Sequence, residues 1–136
     1  MLNPSTADGF SDDPTIRKCK GYAERMGLRG ILVANLFTLR TPEPRELLAK
    51  LEAGDLVASS ACDAALHYVC PECKVLVFAW GALSKKLARW AESRIEYAYA
   101  AAASAGKKPL ALGLTASGEP RHPLMLSYAS TPVELR

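Results

Sequence analysis

Two asparagines and one histidine have the types and positions that could do chemistry. Asn35 is the single polar residue in the apolar run 30–37, Asn3 lies beside Pro4, and His122 precedes a proline. An asparagine amide presents a donor next to an acceptor, which matches the polar edge of a nucleobase. A histidine can donate a hydrogen bond to an oxygen that gains negative charge. These residues favour a nucleobase pocket.

A second set of residues suits contact with DNA. Gly81 and Ala82 form a turn whose backbone N–H groups can bind phosphate, and Lys85 follows on the next predicted helix. Leu126 has the bulk to fill the space that an extruded base leaves. We therefore expect DNA, a nucleobase or a nucleotide as the partner, and neither a metal nor a cofactor.

The elements that must position these residues alternate between helix and strand. The continuous apolar runs at 30–37 and 74–80 are typical of strands buried on both faces of a parallel sheet. Asp13 before Pro14 is a helix start, because aspartate caps helices and proline is tolerated in the first turn. The pattern predicts helices at about 14–26, 45–51, 56–68 and 84–104, and strands at 30–37, 74–80 and 109–114.

This alternation predicts a three-layer α/β/α fold with a mostly parallel central sheet. The 136 residues fit a single domain, residues 1–136. Ligands of open α/β sheets bind beyond the carboxyl ends of the strands, and Asn35, Gly81 and His122 all follow or end a predicted strand. The fold therefore predicts that they share one site.

Composition limits the class of protein. The chain is 49% hydrophobic and 23% charged, as ordinary folded domains are. Its apolar runs are shorter than the roughly 20 residues of a membrane-spanning helix, and no leader pattern opens it, so we predict a cytoplasmic protein without a membrane partner. The net charge of +3 permits phosphate contact but does not by itself indicate a nucleic-acid-binding protein.

Two clusters allow a metal interpretation. Cys70 and Cys73 have the C-x-x-C spacing of metal and redox sites, although no second close pair supplies further ligands, and buried thiols are the alternative. Asp8, Asp12 and Asp13 carry oxygen ligands, yet aspartates beside glycine and proline are more often caps.

Three segments resemble, in order, signatures of the uracil-DNA glycosylase superfamily. They are V-A-N-L-F-T-L-R, which contains Asn35, V-F-A-W-G-A-L-S-K-K, which contains Gly81, and H-P-L-M-L-S, which begins at His122. The resemblance implies that Asn35 reads the pyrimidine, that the glycine turn holds phosphate, and that His122 is catalytic. It also implies a wedge role for Leu126 and phosphate binding by Ser127.

The segment L-N-P-S falls where those enzymes have Q-D-P-Y. Asn3 then replaces the aspartate that positions water, and an amide cannot act as a general base. Pro4 and Ser5 would contact the base, and the small Ser5 in place of tyrosine implies room for a 5-substituted pyrimidine. The change at Asn3 implies slower or altered hydrolysis.

The chain as a whole is more similar to an uncharacterised bacterial and phage domain family with N-P-S-x-A-D, D-P-T-I, N-L-F, W-G and H-P-L motifs. In the glycosylase fold a central strand precedes the Asn3 loop, whereas this chain starts at Met1. We expect that this first strand is truncated, and that either a longer reading frame or another chain completes the sheet.

The functional expectation is glycosylase-like hydrolysis of the N-glycosidic bond of a damaged or modified pyrimidine. The alternative is a non-catalytic module that binds a modified base, a nucleotide or single-stranded DNA through the same pocket. Simpler interpretations remain for the two key residues: Asn35 closes a turn with its side chain bonded to backbone, and His122 is an exposed loop residue.

Overall fold

Four α-helices are the main regular elements of the computed structural model, which describes residues 1–4 and 13–135. Two very short strands and one 3-10 turn follow the last helix. In chain order the elements are α1 (Pro14–Arg25), α2 (Pro44–Glu52), α3 (Ser60–Glu72), α4 (Lys85–Ser104), β1 (Leu110–Ala111), the 3-10 turn Pro123–Met125 and β2 (Val133–Glu134).

Side-chain caps begin two of the helices, and the first of these caps is the aspartate that the sequence predicts. Asp13 Oδ1 accepts a 2.8 Å hydrogen bond from the Ile16 amide at the start of α1. Ser84 Oγ accepts from the Leu87 amide at 3.2 Å and begins α4. Such caps satisfy backbone donors that have no partner inside the helix. The predicted boundaries of these two helices are confirmed to within one residue.

Helix α3 begins later than predicted. Val57 is buried, and its carbonyl oxygen accepts hydrogen bonds from Thr38 N at 2.7 Å and Thr38 Oγ1 at 3.0 Å. These bonds hold the chain before Ser59 out of a helix. Leu56, which the prediction placed inside a helix, is 87% exposed. A contact with a distant segment therefore overrides the local helical pattern.

The predicted three-layer α/β/α fold with a mostly parallel central sheet is wrong. Within the described residues the sheet has two antiparallel strands, in which Leu110 pairs with Glu134 and Ala111 with Val133. The run 74–80 makes a single parallel bridge, from Val77 to Leu110, and the run 30–37 contains no strand. Only a small part of the predicted 109–114 strand is regular.

The physical reason is that the two apolar runs do not pair with each other. No backbone hydrogen bond between described residues joins 30–37 to 74–80. Instead both runs line a cavity of about 540 Å³, which we call the apolar cleft. A continuous apolar run indicates that a segment meets apolar surroundings, but not that it pairs with a particular neighbour.

The run 30–37 is partly tied to the start of the chain. Leu36 N donates to Met1 O at 3.0 Å, and Phe37 N donates to Leu2 O at 2.9 Å. The Met1 amino group in turn donates to Ala34 O at 2.9 Å. These contacts fix the position of Asn35, which lies between the bonded residues.

The core lies between the helices and the two apolar runs. Phe37, Leu47, Cys70 and Pro123 are its largest fully buried side chains. Burying a large apolar side chain stabilises a fold by roughly 1.5 to 3 kcal/mol, so these contacts are the main force that holds the runs against the helices.

Arg94 connects the core helices to the Asn35 segment. From α4, its Nε donates to Leu36 O at 2.9 Å, and its Nη1 lies 2.7 Å from Asp63 Oδ1 on α3. The second contact is an ion pair between the guanidinium and the carboxylate. Arg94 therefore positions the backbone next to Asn35.

No helix in the described part of the chain is long and apolar enough to cross a membrane.

Candidate functional site

Asn3, Asn35 and His122 line one cavity of about 580 Å³, together with Pro4. We call this cavity the Asn35 cleft. These residues come from three distant parts of the chain, and the backbone bonds between the start of the chain and residues 36–37 bring the two asparagines together. Its volume is in the range of small-molecule sites in proteins.

Asn35 carries an unusual polar atom. Its Oδ1 is buried, and no described residue donates a hydrogen bond to it. Leaving a buried acceptor unpaired costs about 1 to 3 kcal/mol, so such an atom at a cleft is a candidate for ligand binding. The alternative interpretation, a side chain bonded to backbone at a turn, does not describe this oxygen.

Asn3 has a different environment. Its Nδ2 donates to the carbonyl oxygens of Thr41 at 2.7 Å, Leu39 at 3.1 Å and Pro4 at 3.2 Å. The amide nitrogen therefore ties the start of the chain to residues 39–41. The remaining oxygen, Oδ1, has no partner among the described residues and is the atom of Asn3 that a water molecule could contact.

His122 is half-buried at the start of the 3-10 turn. Burial lowers the pKa of its imidazole, the nearby Met1 ammonium lowers it further, and Asp13 opposes these effects. The ring is therefore neutral at pH 7, and a neutral imidazole offers one N–H donor and one acceptor.

Gly81 supports His122 rather than lining the cleft. Its φ of +85° suits glycine, and a Cβ at this position would lie 3.3 Å from the Cβ of His122. Its N–H donates to Pro120 O at 2.9 Å, so this amide is already used. The close approach explains a glycine here without a phosphate.

The other residues predicted for DNA contact lie elsewhere. Ala82 and Lys85 are exposed at the start of α4, and Ser127 Oγ accepts from the Ala129 amide. Leu126 is half-buried, with a side-chain carbon close to Gly113. Within the described residues, none of these four lines the Asn35 cleft. Their proposed DNA contacts stay predictions.

Ser5 lies outside the described residues, as do Asp8 and Asp12. The predicted base contact of Ser5 is therefore left as a prediction.

Two charged residues of the cleft were absent from the predicted site. Asp13 lines it while capping α1, and Arg40 lines it from the extended segment that also carries Asn35. In the sequence, Asp13 is recognisable only as a helix cap, and Arg40 only as a cation five residues after Asn35. Asp13 and Arg40 thus contribute one charge of each sign to the lining of the cleft.

The cysteine pair does not assemble a ligand set. Cys73 Sγ donates to Cys70 O at 3.3 Å. Burial, and then the neighbouring Cys73, raise the pKa of the Cys70 thiol, which therefore stays protonated at neutral pH. Over the part of the chain that the structure describes, no three His, Cys, Asp or Glu residues are grouped as metal ligands would be.

A family model described as "Protein of unknown function (DUF1643)" matches residues 1–124. No curated protein and no solved structure matches the chain.

Proposed function

The chain belongs to the DUF1643 family, and from the geometry of its cleft we propose that it binds the pyrimidine base of a nucleotide or of single-stranded DNA. The observation that carries this proposal is the buried Asn35 Oδ1, which has no donor among the described residues. A pyrimidine with an N3–H group supplies such a donor next to a carbonyl that the same amide can bind.

The rest of the cleft suits the same ligand. Arg40 lines the same cleft, and guanidinium groups match the oxygens of a phosphate well. Phe37, Ala34 and Ile16 give part of the wall apolar character, which favours the flat faces of a base. The cavity of about 580 Å³ has room for a mononucleotide.

Calorimetric titration with thymidine monophosphate and its N3-methyl analogue tests this proposal. In the analogue a methyl group replaces the N3 hydrogen that would be donated to Asn35, so the unmodified chain should bind it at least about tenfold more weakly. Asn35→Leu should bind both nucleotides with the same low affinity, because the discriminating amide is gone. Equal affinity of the unmodified chain for both nucleotides, or binding to neither, would contradict the proposal.

A second candidate is hydrolysis of the N-glycosidic bond, favoured by the neutral His122 in the same cleft. Water would attack the sugar C1′ while the base leaves with the electron pair of the broken bond. The His122 N–H would stabilise the negative charge on the base oxygen, as donors do in oxyanion sites. Asn3 Oδ1 would orient the water, whose released proton passes to solvent.

An abasic-site cleavage assay on oligonucleotides with uracil and 5-substituted uracils tests the second candidate. We expect slow cleavage that falls by about a hundredfold or more in His122→Ala. Lys86→Ala is the matched control and should cleave normally. The Lys86 side chain is exposed and pairs with Glu52 at 3.6 Å. Absence of cleavage in the unmodified chain removes this candidate but leaves base binding to be judged by titration.

A further inference from the structure

Positive charge is concentrated on helix α1. The chain has 17 basic and 14 acidic residues, and α1 holds four of the basic residues but a single acidic one, Glu24. Basic and acidic residues are therefore equal in number over the rest of the chain, and the net charge of +3 comes from this helix. Such an asymmetry favours contact with an anionic partner. The four basic residues are Arg17, Lys18, Lys20 and Arg25.

Lys18 and Arg25, which we call the cation pair, are held on one aromatic ring. Lys18 Nζ lies 3.9 Å from the centroid of the Tyr128 ring, and Arg25 Cζ lies 3.8 Å from it. Contacts of this kind orient long cationic side chains. Among the described residues, no carboxylate forms an ion pair with either cation. Two like charges held close together without a counter-charge repel each other, and a bound anion would relieve that repulsion.

Tyr128 is itself fixed against α1. Its hydroxyl lies over Gly21, where a Cβ atom would collide with it. The hydroxyl of Tyr22 donates a hydrogen bond to the carbonyl oxygen of Ser127, and the rings of Tyr22 and Tyr128 meet edge to face with their centroids 5.0 Å apart. The fold therefore holds the cation pair in place before any ligand binds.

Two elements connect the cation pair to the Asn35 cleft. Ile16, in the first turn of α1, lines the cleft, and Arg25 lies about 14 Å farther along the helix axis, at 1.5 Å per residue. His122 also lines the cleft, and the chain that follows it reaches α1 at Tyr128. A few nucleotides that follow a base in the cleft would cover this distance.

We propose that the partner is single-stranded DNA, whose backbone leaves the Asn35 cleft along α1 and places its phosphates on the cation pair. This inference rests on the proposed function and extends it from one base to a polymer. A free nucleotide carries its phosphate only at the cleft, whereas a strand also reaches Lys18 and Arg25. Each phosphate contact adds affinity that falls as the salt concentration rises.

Titration of the full chain at several salt concentrations tests the proposal. The probes are thymidine monophosphate, a thymidine hexanucleotide, and a hexanucleotide of the same length with abasic sites in place of the bases. The thymidine hexanucleotide should bind at least about tenfold more tightly than the monophosphate. The abasic strand has the same phosphates but no base for the cleft, so it should bind at least about tenfold more weakly than the thymidine strand.

Lys18→Gln combined with Arg25→Gln locates the phosphate contacts. The double variant should bind the thymidine hexanucleotide about tenfold or more weakly. Its plot of log affinity against log salt should become less steep by about 1.4, because each contact with a single strand contributes about 0.7. Binding of the monophosphate should stay unchanged, since neither residue lines the cleft. Lys18→Arg combined with Arg25→Lys keeps both charges and should behave like the unmodified chain.

Lys50→Gln combined with Lys108→Gln is the matched control. It removes the same charge from cations that pair with Asp55 and Glu134, and it should leave the affinity and the salt dependence unchanged. Binding of the monophosphate without tighter binding of the hexanucleotide would overturn this inference and leave the proposed function intact. Equal binding of the abasic strand, or an unchanged salt dependence in the Lys18 and Arg25 double variant, would also overturn it. Absence of binding to the monophosphate and the hexanucleotide alike would contradict the proposed function as well.

Discussion

Asn35 and Asn3 place the same side-chain amide in two different environments. Asn35 Oδ1 is buried without a donor among the described residues, whereas Asn3 Nδ2 contacts three carbonyl oxygens. We predict that Asn35→Leu, which is nearly the same size, raises the free energy of unfolding by about 1 kcal/mol. Urea unfolding measures this change.

Asn3→Leu is the matched comparison and should have the opposite sign. It removes the donor for the carbonyl groups of Pro4, Leu39 and Thr41 and should lower the free energy of unfolding by about 2 kcal/mol. If Asn35→Leu destabilised the protein as much as Asn3→Leu, the Asn35 amide would be a structural group and not a site held open for a ligand.

The buried Met1 amino group predicts a stability that depends on pH. Desolvation lowers its pKa from 8.0 to about 6 in the folded chain. Between these two values the unfolded chain binds more protons than the folded chain, so the free energy of unfolding rises as the pH increases from 6 to 8. The whole change is about 2 to 3 kcal/mol, with the full cost present below pH 6.

Acetylation of the Met1 nitrogen provides the control for this pH dependence. It removes the titrating group, so the unfolding free energy should become flat between pH 7 and 8. His122, whose pKa burial also lowers, still contributes a loss of stability on acidification, but below its ordinary pKa of 6.5. An unchanged slope after acetylation between pH 7 and 8 would show that another group is responsible.

At the scale of elements, the contact between α3 and α4 also supports the cleft. The Arg94 side chain is 15% exposed where it meets Asp63 and the Leu36 carbonyl. We predict that Arg94→Ala lowers the free energy of unfolding by about 2 to 3 kcal/mol, because it leaves Asp63 without its partner. Nucleotide affinity should fall as well, since the segment that carries Asn35 loses its anchor.

The exposed ion pair between Lys50 and Asp55 is the control for the Arg94→Ala prediction. Their side chains are about half exposed, and such ion pairs contribute at most about 1 kcal/mol. Lys50→Ala should therefore change the unfolding midpoint much less than Arg94→Ala in the same urea titration. Similar losses from both substitutions would mean that burial and the Leu36 contact add nothing to the Arg94 interaction.

The helices were predictable because their signals are local, while the strands depended on distant partners. Asp13 and Ser84 cap α1 and α4 within a few residues of the helix. The apolar runs gave no information about which segment would lie beside them, so the predicted sheet was wrong. The start of α3 shifted for the same reason, because Val57 bonds to Thr38.

At the scale of the whole molecule, a cavity shared by Asn3, Asn35 and His122 could be anticipated although the fold could not. Asn3, Asn35 and His122 do line one cavity, although the sheet expected to bring them together is absent from the described residues. Their convergence comes instead from Met1 and Leu2 bonding to residues 34–37, and from Gly81 allowing His122 to approach. Arg40 was missed because a lone arginine in an extended segment has no distinctive spacing.

Amide hydrogen exchange can show whether the two apolar runs border an open cleft or pair with each other as a sheet. The amides of Phe78 and Leu110 are bonded to each other's segments, so their hydrogen exchange should be strongly protected, as in α4. The amides of Leu32 and Val33 have no partner among the described residues and lie in exposed side-chain surroundings, so we predict exchange close to that of an unfolded chain. Residue-resolved NMR exchange measures both groups in one sample, and bonded and unbonded amides serve as mutual controls. Strong protection of Leu32 and Val33 would contradict this, because it would mean that the runs 30–37 and 74–80 pair directly and that the apolar cleft is closed.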